Sequence, residues 1–297
     1  MAPALSIVVP TRNRAGKLDA LLRALAALEV PAGGLEAFVV DNGSTDETPQ
    51  VLAWWAPRFP FPLRPLAEPR PGVSRARNAG VAAASAPIVA FLDDDCLPEP
   101  DWAAAILAAF AADARLAAVG GRVELKSPED APIGLRLGRE RERMTGMWGA
   151  FGLLIGANAA YRRDVLAAAG GFDARLGPGT GIPAAEDSDL IWRVFLTGRP
   201  LVYEPGVLVR HDHGRKPGAG EALRIRRNYV VGRGAFYAKH GLKGDGQVLR
   251  QAYYEVRKLL AGAFKGTAAE RSKARQNLGW LAAGAWRWLG VAFRAPG

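Results

Sequence analysis

The 297-residue chain has one cysteine, three histidines and three methionines. None of its apolar runs reaches the about 20 uninterrupted residues of a membrane-spanning helix. A lone cysteine, Cys96, excludes an internal disulfide and a cysteine-based zinc site, and it fits a reducing compartment. No G-x-G-x-x-G is present, and the stretch after the first apolar run, PTRNRAGK, has a single glycine. A dinucleotide cofactor and a glycine-rich phosphate cradle, of the kind a nucleotidyltransferase needs, are therefore disfavoured. The opening MAPALSIVVPTRNR has a short apolar run with no basic segment ahead of it, and reads as a strand rather than a signal peptide.

What is present is ordinary globular composition, 49% hydrophobic and 23% charged, with a lopsided charge. The net charge is +10, yet residues 216–297 hold 16 Lys+Arg against 4 Asp+Glu, which leaves 23 against 25 for residues 1–215. The basicity belongs to the tail. That pattern argues against a nucleic-acid footprint over the whole chain and leaves open a basic appendage that meets an anionic membrane surface.

Residues 1–125 alternate strand and helix. LSIVV (5–9), EAFVV (36–40) and PIVAFL (87–92) are short apolar runs suited to strands buried on both faces. Leu18, Leu21, Leu22, Leu25 and Leu28 repeat at helical spacing. Ser44 and Glu47 have capping-box spacing before a helix reaching about Ala53. VSRARNAGVAAA and residues 100–111 read as helices, and 116–123 as a strand. This order predicts an α/β fold with a mostly parallel, doubly wound sheet flanked by helices, whose ligands lie beyond the carboxyl ends of the strands. Residues 127–150 read as a flexible loop or lid. A short helix (162–169), a glycine-rich stretch, an acidic helix start at EDSDL and a strand or hairpin in PLVYEPGVLVRHDH follow. The tail is helical by pattern. Its last segment, NLGWLAAGAWRWLGVAF, is interrupted by Arg287 and carries Trp280, Trp286 and Trp288, which suits an interfacial helix.

Acidic groups gather where strands end: Asp41 after EAFVV, and Asp93, Asp94 and Asp95 after PIVAFL. Carboxylates two apart can serve one divalent cation and one ribose hydroxyl; a solvated turn with a helix cap is the plainer reading. Asp41-Asn42-Gly43-Ser44 is also a natural turn. Arg75, Arg77 and Asn78 lie early in a helix, where cations oppose the helix dipole unless an anion binds nearby. Glu186, Asp187 and Asp189 open a helix, where a carboxylate is electrostatically favoured and could also take a proton from a nucleophile. His211 and His213 of RHDHG would point the same way if their strand persists, and one of them could complete a metal site. Cys96, beside three carboxylates, is expected to be a small buried residue with a raised pKa.

Taken in order, SIVVPTRNR, VVDNGSTDET, PGVSRARNAG, PIVAFLDDDCLPEPDW, GANAAYRRDVLAAAGGFD, EDSDLIWR and PGVLVRHDH resemble the family 2 glycosyltransferases, over residues 5–215. The resemblance implies a GT-A (Rossmann-like) catalytic domain over 1–215, with a nucleotide-binding half (1–125) and an acceptor half (126–215), followed by a basic helical extension over 216–297. It implies that Pro10, Thr11, Arg12, Asp41 and Arg77 hold the nucleotide of a nucleotide-sugar. Asp93 and Asp95 form the D-x-D pair, with Asp93 towards the ribose, Asp95 on Mn²⁺ or Mg²⁺, and Asp94 assisting at the ribose or sugar. His211, or else His213, is the further metal ligand. Asn158 lines the sugar or acceptor pocket, Asp187 is the general base and Glu186 its support. The implied reaction is an inverting transfer from a UDP- or GDP-sugar, UDP favoured, to a glycan or lipid-linked acceptor, by a cytoplasmic enzyme peripheral to the inner face of the membrane. A sugar-phosphate nucleotidyltransferase and a non-catalytic sugar- or membrane-binding module are the alternatives.

Overall fold

The short apolar runs become strands because each is buried on both faces and can satisfy its backbone only by pairing. In the computed structural model, which describes residues 2–293, the chain begins β1 (Leu5–Thr11), α1 (Ala15–Ala26), β2 (Leu35–Asp41), α2 (Thr48–Trp55), β3 (Leu63–Ala67), α3 (Val73–Ala83) and β4 (Ile88–Leu92). It continues β5 (Cys96–Pro98), α4 (Trp102–Ala112), β6 (Ala118–Leu125), β7 (Glu142–Arg143), β8 (Asn158–Arg162) and α5 (Arg163–Ala168). It ends α6 (Glu186–Phe195), β9 (Leu201–His211), α7 (Ala219–Gly241), α8 (Gly246–Phe264) and α9 (Ala268–Ala292). Two units result, Met1–Asp173 with Leu190–Pro217, and Ala174–Asp189 with Gly218–Gly297.

The first unit holds the sheet, in the order β3-β2-β1-β4-β8-β6-β9-β5, with β7 added on β9. β3, β2, β1 and β4 run parallel, as do β6 and β9, while β8 is antiparallel between β4 and β6. A buried carboxylate ties the parallel strands together. Glu36 of β2 accepts from Ser6 Oγ (2.6 Å), from Ser85 N and Oγ (both 2.8 Å) and from Arg64 Nη1 (2.8 Å). Burial by itself would raise its pKa, but the hydroxyls, the backbone N–H and the Arg64 charge hold it below the ordinary value.

Several elements depart from the reading of the sequence. The Ser44/Glu47 spacing predicts a capping box, but α2 starts at Thr48, and Ser44 Oγ instead accepts from Asn13 N (2.9 Å) in the loop after β1. Asp46 takes over the cap, accepting from Thr48 N and Ala15 N (both 3.1 Å). The Pro-rich stretch conceals β3, which tolerates Pro65 because it is an edge strand. PLVYEPGVLVRHDH is one bulged strand rather than a hairpin, its register against β6 shifting after Gly121. Residues 127–150 are no free lid: Met144, Met147 and Ala150 are buried, β7 pairs with β9, and Tyr203 O–H donates to Gly138 O (2.6 Å).

In the second unit, α7 and α9 meet through glycines. A Cβ on Gly284 would collide with Val231 O, and one on Gly234 with Leu281 O, so only a bare backbone allows this approach. Trp288 is buried with Leu176, Ile182 and Ala235, and Trp280 lies under the Arg226 guanidinium at 5.0 Å. Two of the three tryptophans expected at a membrane interface are therefore engaged in the unit's own packing, and α9 is a core helix of that unit. No helix among the described residues is long and apolar enough to cross a membrane.

Glu36 makes a prediction about stability. Its folded pKa lies below the unfolded 4.5, so its contribution is present above that value and is lost as pH falls. Replacing it by Gln should cost on the order of 1–3 kcal/mol near neutrality. In urea titrations the gap from wild type should narrow as pH drops from about 6 to about 3; a pH-independent gap would refute the ionised network.

Candidate active site

Strand register assembles the site. β1 and β2 pair Thr11 with Asp41, and β1 runs beside β4 with Val8 opposite Phe91. Three residues further, the same register brings Thr11 to Asp94, and Thr11 Oγ1 donates to Asp94 Oδ2 at 2.8 Å. Thr11, Asp41 and Asp94 stand at the carboxyl edge of parallel strands, where an α/β sheet places its ligands.

Each aspartate in the run has a different counter-group. Asp93, the most exposed, accepts from Arg77 Nη2 at 2.9 Å. Asp94 lies 3.7 Å from Arg14 Nε in addition to its bond from Thr11. Asp95 accepts from Arg14 Nη2 at 3.3 Å and sits 3.3 Å from His211 Nε2. Burial pushes Asp94 up to about 7 against the pull of Arg14, and the carboxylates on either side add to the rise. Asp95 is also buried, yet the His211 hydrogen bond and charge and the Arg14 charge keep its pKa below the usual carboxylate value. Arg14 is a site residue that sequence reasoning missed. The only local signal is its place in TRNR, directly after a buried strand.

His211 reaches Asp95 because the three-residue β5 pairs antiparallel with β9, setting Cys96 opposite His211. Asp212 N donates to Asp95 O (2.7 Å), which fixes the register just beyond the strand. Donor atoms of Asp95, Cys96 and His211 can lie within 4.8 Å of one another. His211 Nδ1 is buried with no hydrogen-bond partner among the described residues. His213 differs. Its Nε2 donates to Ala131 O (3.0 Å), and its Nδ1 accepts from Arg215 N (2.9 Å). Burial, with His211 next to it at 4.6 Å between ring centroids, lowers its pKa and keeps it neutral. Both nitrogens of His213 are occupied, so it offers none to a metal. The Cys96 thiol is kept protonated by full burial and by the three carboxylates. A carboxylate with an imidazole, completed by oxygen ligands from outside the chain, fits Mn²⁺ or Mg²⁺.

The other sequence-predicted residues divide. Pro10 and Thr11 are buried at the end of β1 and Arg12 is exposed beyond it. Asp41 Oδ1 accepts from Ser44 N (2.8 Å), and the neighbouring Asn42 clamps the loop, donating to Glu68 O and Arg70 O and accepting from Gly72 N. Arg77 is 2% exposed, with its guanidinium 5.2 Å from the Phe172 ring and paired with Asp93. Asn158 does not line a pocket. It is wholly buried, accepts from Trp102 Nε1 (2.9 Å), and donates to Arg122 O (3.0 Å) and Val207 O (2.8 Å), carbonyls flanking the β6–β9 bulge.

Glu186 and Asp187 open α6 in the second unit, with Glu186 buried and Asp187 half-buried. The turn into α6 is strained. Ala185 adopts φ +81°, a conformation that costs a non-glycine residue about 1–3 kcal/mol and persists only where the surroundings enforce it. Asp189, fully buried one turn on, is held by Lys239 Nζ (2.6 Å) and His240 Nε2 (3.0 Å) of α7. That grip fixes the first turn of the helix.

Comparison with known proteins agrees with this architecture. The family model "Glycosyl transferase family 2" matches residues 6–170. The chain is 31% identical over 219 residues to a pre-mycofactocin glycosyltransferase of Mycobacterium tuberculosis, covering 70% of this chain and 42% of that one. It is 39% identical over 112 residues to a validoxylamine A glucosyltransferase of Streptomyces hygroscopicus, covering 38% and 26%. It thus spans about two-fifths of the length of the first of these relatives, and less of the second. In fold it matches the mannosyltransferase PcManGT of Pyrobaculum calidifontis, solved with GDP-Man and Mn²⁺, at TM-score 0.63 and 23% identity over 97% of this chain and 88% of that one. It also matches S. aureus TarS residues 1–349 with UDP-GlcNAc, at TM-score 0.58 and 19% identity over 96% and 82%. The fold is that of GT-A glycosyltransferases.

Asn158→Ala should unfold at lower urea, costing on the order of 2–4 kcal/mol, because it strands the Trp102 N–H and two carbonyls in the core. An Asn158→Ala protein with wild-type stability and reduced affinity for a ligand would show that the side chain faces a pocket after all.

Proposed function

Because the chain belongs to glycosyl transferase family 2, we propose that it moves a sugar from a nucleoside-diphosphate sugar to a hydroxyl acceptor with inversion. The observation that carries the reading is Asp95, kept ionised at the carboxyl edge of the sheet beside a histidine whose Nδ1 has no partner among the described residues. Asp95 and His211 would hold Mn²⁺ or Mg²⁺, and Asp93 would take a ribose hydroxyl. Bound there, the ion acts as a Lewis acid towards the departing diphosphate. Pro10, Thr11, Arg12 and Asp41 line the nucleotide, with Arg77 supporting Asp93 from behind.

Asp187 takes the proton from the acceptor hydroxyl as that oxygen bonds to the anomeric carbon. The bond from that carbon to the diphosphate oxygen breaks, and the nucleoside diphosphate leaves with the electron pair. A single displacement inverts the centre, through an oxocarbenium-like transition state. Glu186 supports the base. The strained Ala185 turn and the Asp189 grip keep the first turn of α6 from relaxing.

The donors bound to the two structural neighbours, GDP-Man and UDP-GlcNAc, support a UDP- or GDP-sugar, of which UDP is favoured. The acceptor is a glycan or a lipid-linked saccharide of polysaccharide or envelope synthesis. The enzyme works in the cytoplasm, at the inner face of the membrane, through its basic C-terminal segment.

Nucleoside diphosphate release from a panel of UDP- and GDP-sugars with Mn²⁺ tests the proposal. Asp95→Ala and Asp187→Asn should each lower transfer at least about a hundredfold. Asp187→Asn should keep the donor-induced rise in melting temperature, since only the proton acceptor is lost. A fully active Asp187→Asn protein sinks the base assignment.

A further inference from the structure

Helix α8 carries an apolar stripe that the described residues do not cover. Leu249, Tyr253, Val256, Leu260 and Phe264 follow one another at three- and four-residue steps and so share one side of the helix. All are exposed, Tyr253 at 61% and Phe264 at 78%. A shallow groove of about 420 Å³ is lined by Ala252, Tyr253, Val256, Arg257 and Leu260. Another side faces inward: Val248 is buried, and Glu255, close to it in angle round the helix, accepts from Tyr237 O–H (2.6 Å) and pairs with Arg233 at 3.3 Å. Exposed aromatic and aliphatic side chains in one continuous row mark a surface that meets something else.

Charge decides what. Arg250 and Arg257 each follow a stripe residue by one position, about 100° further round the helix, and Lys258 is also exposed. The single acid of α8, Glu255, is engaged on the inner side. A second copy laid on this stripe would set arginine against arginine. An anionic bilayer instead takes the apolar row into its headgroup boundary and the cations at its surface, the arrangement of an interfacial helix.

We infer that α8, and not the tryptophan-bearing α9, is the membrane-contacting surface of this protein, lying in the plane of an anionic bilayer. The inference deepens the membrane contact proposed above and rests on it. Vesicle binding needs neither donor nor acceptor, so its failure would leave the transferase reading standing.

Flotation of the full chain with vesicles tests it. Wild type should float with vesicles in which about a third of the lipid is phosphatidylglycerol, release with salt, and leave phosphatidylcholine vesicles unbound. A Tyr253→Glu/Leu260→Glu protein, and separately an Arg250→Glu/Arg257→Glu/Lys258→Glu protein, should bind roughly tenfold or more weakly. Both sets are exposed, so melting temperatures should match wild type and exclude misfolding as the cause. Trp286→Ser, on α9, should bind as wild type does. No flotation of the wild type, unchanged binding by either α8 variant, or a dimer in solution that Leu260→Glu dissolves would overturn the assignment.

Discussion

Asp93, Asp94 and Asp95 put three like charges in consecutive positions at the end of a buried strand, and the surrounding elements are arranged around keeping them there. At an effective dielectric near 20, two unit charges about 4 Å apart interact by about 4 kcal/mol. Repulsion of that size would be comparable to the whole stability of a modest domain unless it were offset. Arg14 reaches two of the carboxylates, Arg77 one, and His211 one. The aspartates are not left equal by this. Asp94, buried between two other carboxylates, has its pKa lifted to about 7, whereas the His211 hydrogen bond and charge hold that of Asp95 below the usual carboxylate value. A proton on Asp94 lessens the repulsion that Asp95 meets from its neighbour. Negative charge is thus held where a metal or a ribose would meet it.

Arg14 comes from the turn before α1 and Arg77 from α3, whereas Thr11 and His211 arrive by strand pairing. Thr11 is set against Asp94 by the parallel β1–β4 register. His211 is set beside Asp95 by a β5 only three residues long, which exists because β9 extends past the β6 bulge to meet it. A one-residue slip in either ladder would turn these side chains to the opposite face. The Glu36 network near the amino ends of the same strands therefore bears on the site at their other ends. It locks β1, β2, β3 and the approach to β4 into one register through a single buried carboxylate.

The parts legible in the sequence are those that burial writes locally. Runs such as LSIVV and PIVAFL announce strands, and the leucine spacing of α1 announces a helix, because period and hydrophobicity suffice there. The acids at strand ends follow from the α/β order alone. What stayed illegible depends on partners distant in sequence. LRPLA reads as loop because its proline is tolerable only at an edge. Ser44 reads as a cap because the competing Asn13 N–H lies 31 residues away. Arg14 is silent until Asp94 and Asp95 are beside it. Asn158 looks like a pocket residue until the bulge supplies the two carbonyls that absorb its amide. The two histidines of RHDHG are indistinguishable by spacing, and only Ala131 O and Arg215 N, which occupy both nitrogens of His213, separate them.

The tryptophans of α9 mislead for a related reason. Amphipathic composition identifies a helix that needs an apolar environment but not whether that environment is lipid or protein. Gly234 and Gly284 answer for α9, since they let α7 come close enough to bury Trp288. On α8 no such neighbour among the described residues covers the row from Leu249 to Phe264. The division of charge follows the same logic. Residues 1–215 are slightly acidic, so the nucleotide-sugar proposed as donor would depend there on local cations such as Arg14 and on a metal. The surplus of twelve positive charges on residues 216–297 is too far from balance to be consumed in internal pairs. The anionic bilayer proposed as the partner of α8 matches that surplus in sign.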